Sequence, residues 1–526
     1  MKIALAQLNY TIGDIDGNTS KIIDSINKAK AQRADLVIFA EQAVSGTPAF
    51  DLLRKTTFLE LCEDALVEIA SCCDGIAAIV GLPILTREGT ISAAALIQDR
   101  KVLRYVGKKY ITARREMGFL VPSKGFEYAT IKGHKCAIIV GDDLSREHDF
   151  DKSVETVISI NARKYGKGTM TYRYEMMRNL AFVESKNLVL VNQVGGSTDI
   201  VYDGTSGAFN NRGELVLMMK QFEEDFQIFD TKAQNPPVGV PSTYNDRTRM
   251  VYQAARCGLR DFFLKNGYKK ACIGLSGGID SAVVACLAAD ALGRQNIRAL
   301  LLPSQFSSDH SVEDAKKLAE NLGVEYNVIP ITEIYTSVVN TLKPVIGGRE
   351  FDATEENIQT RIRTVLLMAV QNKADYILLN SSNKSENALG LCTLYGDTAG
   401  AFSPTGDLYK SEMYDLARYI NRTQGDPIPG NILDKEPSSE LHPGQKDSDI
   451  LPPYEVVDAI LYRMIEEGQH REEIVNAGFD SEVVEKIHAM IMRNEKKRYQ
   501  FPPVLRLSMC SFGHERLMPL TNKYGD

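Results

Sequence analysis

An α/β fold in two domains is what this 526-residue chain predicts, and three observations predict it. Residues 1 to about 232 alternate short apolar, strand-like runs with helical or loop segments. A stretch rich in Pro, Asn and Gly then breaks every periodicity. From about residue 244 a second series of β-α-β units begins, with a glycine loop between its first strand and the helix that follows. The length agrees, because single cores stop growing at about 250–300 residues.

The strand-like runs of the first part are KIALAQL, ADLVIFA, IAAIVGL, AALIQ, AIIVG, VETVISI, NLVLVNQV and LVLMM. So many runs with helical segments between them specify an α/β or α+β sandwich. Residues 233–243 contain Ala233-Gln234-Asn235-Pro236-Pro237-Val238-Gly239-Val240-Pro241, which cannot be a helix interior and is expected to be a linker. The second part opens with a helix (MVYQAARCGLRDFFLKNG) and a strand (ACIGL). A helix follows with Val284, Leu287, Ala288 and Ala291 at i, i+3, i+4, i+7 and Gly293 as its stop. Then come a strand (IRALLLP), a helix ending at Gly323, a strand (EYNVIPI), a long helix from Thr354 to about Asn372, and a strand (YILLN). Successive units of this kind predict a doubly wound parallel sheet with its ligands at the carboxyl ends of the strands.

Bulk composition narrows the function. The chain is 44 % hydrophobic and 25 % charged, with a net charge of −7, which argues against a general nucleic-acid or membrane-surface binder. Nine scattered cysteines without zinc or CxxC spacing fit a reduced, cytoplasmic compartment. The N-terminal apolar stretch breaks at Gln7 and Asn9, so it is expected to be a first strand, and no membrane span is expected.

The most informative residues are Gly274-Leu275-Ser276-Gly277-Gly278-Ile279-Asp280-Ser281. Glycines between strand and helix let backbone N–H groups form a concave anion nest, and the helix aims its positive end at the same place. Ser276 and Ser281 add hydroxyls, and Asp280 offers the hard oxygen that Mg²⁺ prefers. The loop lacks the Gly-Lys-Ser/Thr ending of a Walker loop, and is expected to hold pyrophosphate. Ser381-Ser382-Asn383-Lys384-Ser385-Glu386 should fall on the same sheet edge, where its hydroxyls can hold a nucleotide and Glu386 can share Mg²⁺ with Asp280. A plain helix cap would explain that string as well. Thr354 is a good cap for the long helix, and Asn357, Arg361 and Arg363 can lie on one side of it. Lys410 precedes the helix SEMYDLARYI and taken alone is a solvated lysine.

Together these strings resemble NAD⁺ synthetases. The resemblance runs from about residue 244 to the C-terminus, through LSGGIDS, LPSQFSSDHS, EENIQTRIR, SSNKSE, LGLCTLYGD, KSEMYDLAR, PSSELHPGQKDSDILPPY and EKKRYQFPP. It implies a sheet of the adenine nucleotide α-hydrolase, N-type ATP pyrophosphatase kind over 244–526, and ATP-dependent amidation of nicotinic acid adenine dinucleotide with AMP and PPi released. It implies that Gly274 to Ser281, Ser381 (where the family usually has threonine) and Lys410 hold ATP. Asp280 and Glu386 would hold Mg²⁺, and Asn357, Glu386 and Lys497 would meet the deamido substrate. It further implies at least a homodimer.

Residues 1–232 resemble the nitrilase-like amidase domain of the glutamine-dependent members, an α-β-β-α sandwich, through ADLVIFAEQAVSG, VISINARKYGKG and VNQVGGSTDIVYDGTSG. Such amidases need a Glu base, a Lys and a Cys nucleophile at an elbow after a strand. Glu41 fits the base and Lys108 the lysine, with Lys109 a rival. The family's I-C-E-D-L elbow aligns with Val140-Gly141-Asp142-Asp143-Leu144, so Gly141 stands where the cysteine belongs. Cys136 begins that strand, and five positions at about 3.3 Å each displace it by roughly 16 Å. The segment from the elbow to Asn161 is also shorter than the family's. The expectation is an amidase fold that has lost glutamine hydrolysis, with ammonia as nitrogen source. The alternatives are a glutamine-dependent enzyme with an unrecognised nucleophile, another adenylating pyrophosphatase such as GMP or asparagine synthetase, or a nucleotide-binding pseudoenzyme.

Overall fold

The computed structural model describes residues 1–146, 150–233, 236–244 and 246–524, and the chain divides into two compact units, Met1–Asn245 and Asp246–Asp526. Gln234 and Asn235, in the stretch expected to be a linker, lie outside the described residues.

The strands of the first unit are β1 (Lys2–Gln7), β2 (Leu36–Ile38), β3 (Ala77–Thr86), β4 (Gly89–Gln98), β5 (Lys101–Gly107), β6 (Glu127–Ile131) and β7 (His134–Val140). They continue with β8 (Thr156–Asn161), β9 (Asn187–Asn192), β10 (Val194–Ser197), β11 (Ile200–Asp203), β12 (Gly207–Phe209), β13 (Leu215–Met218) and β14 (Asp225–Asp230). The helices are α1 (Ile15–Ala31), α2 (Thr56–Ser71) and α3 (Thr169–Glu184). Two six-stranded sheets result, ordered β14-β1-β2-β3-β4-β5 and β13-β12-β9-β8-β7-β6, with β10-β11 as a separate pair.

Period-2 alternation sets the layers. Ile138, Val140, Ile158, Ile160, Val189 and Val191 of the second sheet join the core formed with the first sheet, α1 and α2. Their neighbours Ala137, Ile139, Val157, Leu188 and Leu190 point the other way, onto Tyr174, Met177 and Ala181 of α3. Both faces of these strands are covered, which is why they read as continuous apolar runs. The architecture is an α-β-β-α sandwich.

All eight sequence-predicted strands of this unit lie on observed ones, and β5, β6, β10, β11, β12 and β14 were not anticipated. Two of the hairpin turns explain part of the omission. Asp99-Arg100 and Lys132-Gly133 both have two positive φ values, the type I′ geometry, but neither is the Asn-Gly or Asp-Gly pair that announces it.

The second unit has four parallel strands, β15 (Ala271–Gly274), β16 (Ile297–Leu301), β17 (Glu325–Val328) and β18 (Ile377–Leu378), in the order β17-β16-β15-β18. Its helices begin with α4 (Arg247–Asn266), α5 (Ile279–Leu292), α6 (Asp309–Leu322), α7 (Thr332–Ile346) and α8 (Ala353–Ala374). They continue with α9 (Lys384–Leu389), α10 (Lys410–Gln424), α11 (Gly430–Asp434), α12 (Tyr454–Ile465), α13 (Arg471–Asn476), α14 (Ser481–Arg493) and α15 (Glu495–Arg498). Gly293 and Gly323 end α5 and α6 at positive φ, as expected. The cap of α8 is corrected: Asp352 accepts from Thr354 N and closes a capping box with Glu355, so Thr354 lies inside the first turn. The chain passes from β15 outward to β17 and then returns across to β18. The carboxyl end of β15 is therefore a topological switch point, and the glycine loop leaves from it.

Candidate active sites

In the second unit the loop after β15 is shaped by its glycines. Gly277 has φ +80°, and a Cβ there would lie 2.2 Å from the Ser311 carbonyl oxygen of α6, so no side chain fits between loop and helix. The serine hydroxyls first hold the loop itself: Ser281 Oγ accepts from Ser276 N at 3.2 Å and lies 3.1 Å from Ser276 Oγ, which accepts from Gly278 N at 3.2 Å. Every residue of Gly274–Ser281 except Gly277 lines a cavity of about 290 Å³. Ser381, Glu386 and Lys410 line it too.

Lys410 is the centre of the charge arrangement. Its Nζ donates to Asp280 Oδ2 at 2.6 Å and to Glu386 Oε1 at 3.1 Å, while Asn383 Nδ2 donates to Asp280 Oδ1 at 3.0 Å. Burial works to lower the lysine's pKa, but the two carboxylates outweigh it and hold the ammonium. Burial pushes Glu386 up to about 7 against the pull of Lys410. Asn383 caps α9, accepting from Glu386 N at 2.9 Å, so the cap reading of SSNKSE holds alongside the cavity lining. Among the described residues no group of three or more His, Cys, Asp or Glu is placed to hold a metal. Asp280 and Glu386 do converge on one cation, and two carboxylates completed by phosphate oxygens suit Mg²⁺. The donor set fits.

Of the residues expected at the deamido substrate, Glu386 lines the cavity, whereas Asn357 and Lys497 flank one turn and do not. Asn357 Oδ1 accepts from Thr393 Oγ1 at 2.5 Å, and Lys497 Nζ donates to the Gly390 and Cys392 carbonyls at 2.7 Å each. That turn carries Asp397, which does line the cavity and which burial pushes up to about 6. The expected common side for Asn357, Arg361 and Arg363 is corrected. Arg361 Nε reaches Leu394 O beside the same turn, whereas Arg363 faces the cavity and donates to Leu302 O at 2.9 Å. Sequence reasoning missed the stripe Thr360, Arg363, Thr364 and Leu367, all cavity-lining and spaced i, i+3, i+4, i+7 on α8. That period was available as a signal. It also gave no role to Lys435–Leu441, which form another wall.

In the first unit Glu41 follows β2 and Lys108 follows β5, and the fold brings them together. Lys108 Nζ lies 3.2 Å from Glu41 Oε1, which also accepts from Ser92 Oγ at 2.8 Å. Burial raises the pKa of Glu41, with Lys108 opposing; burial works to lower that of Lys108, and Glu41, Glu116 and Asp142 outweigh it. Lys109, the rival, is exposed over the Tyr110 ring. Asp143 holds this loop by accepting from Lys109 N and Tyr110 N, both at 2.8 Å.

Gly141 directly follows β7, has φ +61° and opens a short 3₁₀ turn, Gly141–Ser145. A Cβ built on it would lie 2.7 Å from Glu41 Oε2 and 2.9 and 3.0 Å from Lys108 Cε and Nζ. Residue 141 therefore faces both Glu41 and Lys108, and as a glycine presents no side chain to them. Cys136 is buried in the core between the sheets, its Sγ 3.7 Å from His134 O, and burial pushes its thiol up to about 12. Among the described residues no cysteine hydrogen-bonds to Glu41 or Lys108. Glu147, His148 and Asp149, in the segment expected to be shortened, lie outside the described residues.

A glycine-rich loop at the switch point of a parallel sheet, in one chain with an α-β-β-α sandwich holding a buried Glu–Lys pair, defines the class: a two-unit α/β protein with a polar cavity at the sheet's switch point. The NAD synthase family model matches residues 251–501. The glutamine-dependent NAD(+) synthetase of Acinetobacter baylyi is 37% identical, over 99% of this chain and 98% of that protein. That of Aquifex aeolicus is 36% identical over 100% of both. The solved glutamine-dependent NAD⁺ synthetase of Acinetobacter baumannii in complex with ADP is 34% identical with a TM-score of 0.76, covering 99% of this chain and 98% of that one. The Cytophaga hutchinsonii structure, at 19% identity and TM-score 0.87 over 99% of this chain and 98% of that one, shares the fold. This chain belongs to the glutamine-dependent NAD(+) synthetase family.

Proposed function

We propose that this chain makes NAD⁺ from nicotinic acid adenine dinucleotide and ATP, with ammonia as the nitrogen it uses directly. The substrate carboxylate attacks the α-phosphorus of ATP and PPi leaves; ammonia then attacks the carbonyl carbon of the mixed anhydride and AMP leaves. No protein nucleophile is needed, so the residues act by positioning. In this reading Gly274 to Ser281 and Ser381 bind ATP, Lys410 turns to its phosphates, and Asn357, Glu386 and Lys497 orient the deamido substrate. Mg²⁺, held by Asp280 and Glu386, would neutralise charge on the departing pyrophosphate.

The observation that carries the nitrogen assignment is Gly141, facing Glu41 and Lys108 without a side chain. A glutaminase of this type forms a thioester, and glycine cannot. A second reading, glutamine as donor through an unrecognised nucleophile, is favoured by relatives named glutamine-dependent that match this chain from end to end. We further read residues 1–232 as an amidase-type domain, 233–243 as a linker and 244–526 as the ligase domain. The assembly is taken to be at least a homodimer. The compartment is taken as cytoplasmic, in keeping with nine free cysteines; no helix among the described residues is long and apolar enough to cross a membrane.

A panel of carboxylate acceptors assayed for ATP-to-AMP turnover with ammonium tests the proposal. Turnover should require deamido-NAD⁺ and fall by orders of magnitude in Asp280→Asn. Turnover with a different acceptor, or full activity in the variant, would refute it. Glutamate release from glutamine alone would favour the second reading.

A further inference from the structure

One wall of the cavity in the second unit is a loop, and one side chain gathers several of the bonds that tie it to the rest. Residues Lys435–Leu441 line the cavity after α11, opposite no regular element of their own. Glu440 Oε1 accepts from Ser308 Oγ at 2.9 Å, from Ser311 Oγ at 2.6 Å and from Lys435 Nζ at 3.2 Å. Its Oε2 accepts from Ser308 N at 3.1 Å. Four donors thus meet one carboxylate, and three of them belong to the first turn of α6 and its cap. Glu440 itself has φ +48°, a conformation a glutamate rarely adopts unless its surroundings fix it.

The tie leads to the phosphate loop. Ser311, which bonds Glu440, presents the carbonyl oxygen against which Gly277 packs without room for a Cβ. On the other side Gln359, fully buried on α8, donates from Nε2 to Leu441 O at 2.8 Å. Its neighbours Thr360 and Arg363 line the cavity. The wall is therefore anchored to α6 through Glu440 and through Lys435, whose Nζ also donates to Ser311 Oγ, and to α8 through Leu441. Among these anchors Glu440 is the one that gathers Ser308, Ser311 and Lys435 on a single group, and hydrogen bonds to a charged group are stronger than those between neutral ones.

We propose that Glu440 is a positioning residue for nucleotide binding: it latches the 435–441 wall onto Ser308 and Ser311, so that wall and phosphate loop are assembled before ATP arrives. The inference rests on the reading of this cavity as the ATP site. It assigns Glu440 no contact with the reacting atoms. Without the latch, the wall spends only part of its time in the competent position, and apparent affinity falls by that fraction. The chemical step, once ATP is bound and the wall closed, is left much as it was.

The test is a cycle of Glu440→Gln, Ser308→Ala and the double variant in the full-length enzyme. Ser308 is outside the cavity lining, so its variant cannot act by removing a ligand contact. Each single variant should raise KM for ATP about tenfold with kcat within about twofold, and the double variant should be no worse than either single one. Tryptic cleavage after Lys435 and Lys446 should accelerate in both and be suppressed again by a non-hydrolysable ATP analogue. Unchanged KM in Glu440→Gln, a loss confined to kcat, or effects that multiply in the double variant would overturn the latch. Failure of the wild type to be protected by the analogue would remove the nucleotide reading itself, and the latch with it.

Discussion

Lys410→Met keeps the stem of the side chain and removes the ammonium that Asp280 and Glu386 share. The lysine side chain is 6% exposed and its contacts are 2.6 and 3.1 Å, so this is a buried cluster. Breaking a buried pair by removing one partner costs about 3–5 kcal/mol. Asp280 and Glu386 are 16% and 25% exposed, so solvent takes up part of their field, and about 2–3 kcal/mol is the better figure. At about 2–4 °C per kcal/mol for a domain of this size, Tm should fall by roughly 5–10 °C. The loss should depend on pH with a definite sign. Burial already raises Glu386 above its unfolded value, and losing the ammonium raises it further. A carboxyl raised on folding stabilises the fold at low pH, and the contribution is lost as pH rises through the folded value. The deficit relative to wild type should therefore shrink between pH 7.5 and 5.5. Thermal unfolding followed by circular dichroism at both pH values measures it. A Tm equal to wild type at pH 7.5, or a deficit identical at the two pH values, would refute the reasoning.

Further expectations concern other parts of the molecule. Gly141→Cys should fold with a strain of about 1–2 kcal/mol from its positive φ, and should gain a thiol that iodoacetamide labels in the native protein, because Lys108 stands beside it; peptide mass spectrometry showing residue 141 unlabelled would contradict the placement. Glu440 is held below the usual glutamate range: burial alone would raise it, but the Ser311 and Ser308 hydrogen bonds and the Lys435 charge outweigh that. Its contribution is present above about pH 4.3 and lost as pH falls through the lowered value, so the urea-midpoint gap between wild type and Glu440→Gln should close on acidification; a gap constant from pH 7 to 3 would count against it. Light scattering should find at least a dimer, and a stable, active monomer would contradict that.

The glycine loop was legible because LSGGIDS states a strand-to-helix turn outright, and that turn lies between β15 and α5. Glu41, Lys108 and Gly141 were singled out by resemblance to the amidase motifs, and the fold brings the three positions together. What was not legible was long-range pairing. Nothing local in Glu440 announces Ser308, 132 residues away. Asn357, Arg361 and Arg363 fit one helix side on paper, yet Arg361 and Arg363 diverge because the turn at residues 390–397 and the cavity compete for different stripes of α8. Strands β5 and β6 escaped notice for a related reason: their turns, Asp99-Arg100 and Lys132-Gly133, take positive φ without the Asn-Gly or Asp-Gly pair that announces it.

The most direct test of the central claim is NAD⁺ formation from deamido-NAD⁺, ATP and Mg²⁺, measured side by side with ammonium and with glutamine. The account predicts turnover with ammonium, negligible turnover with glutamine, and no effect of prior alkylation on the ammonium rate. Glutamine-driven synthesis that an alkylating reagent abolishes would contradict it, by showing that a cysteine does the work Gly141 cannot.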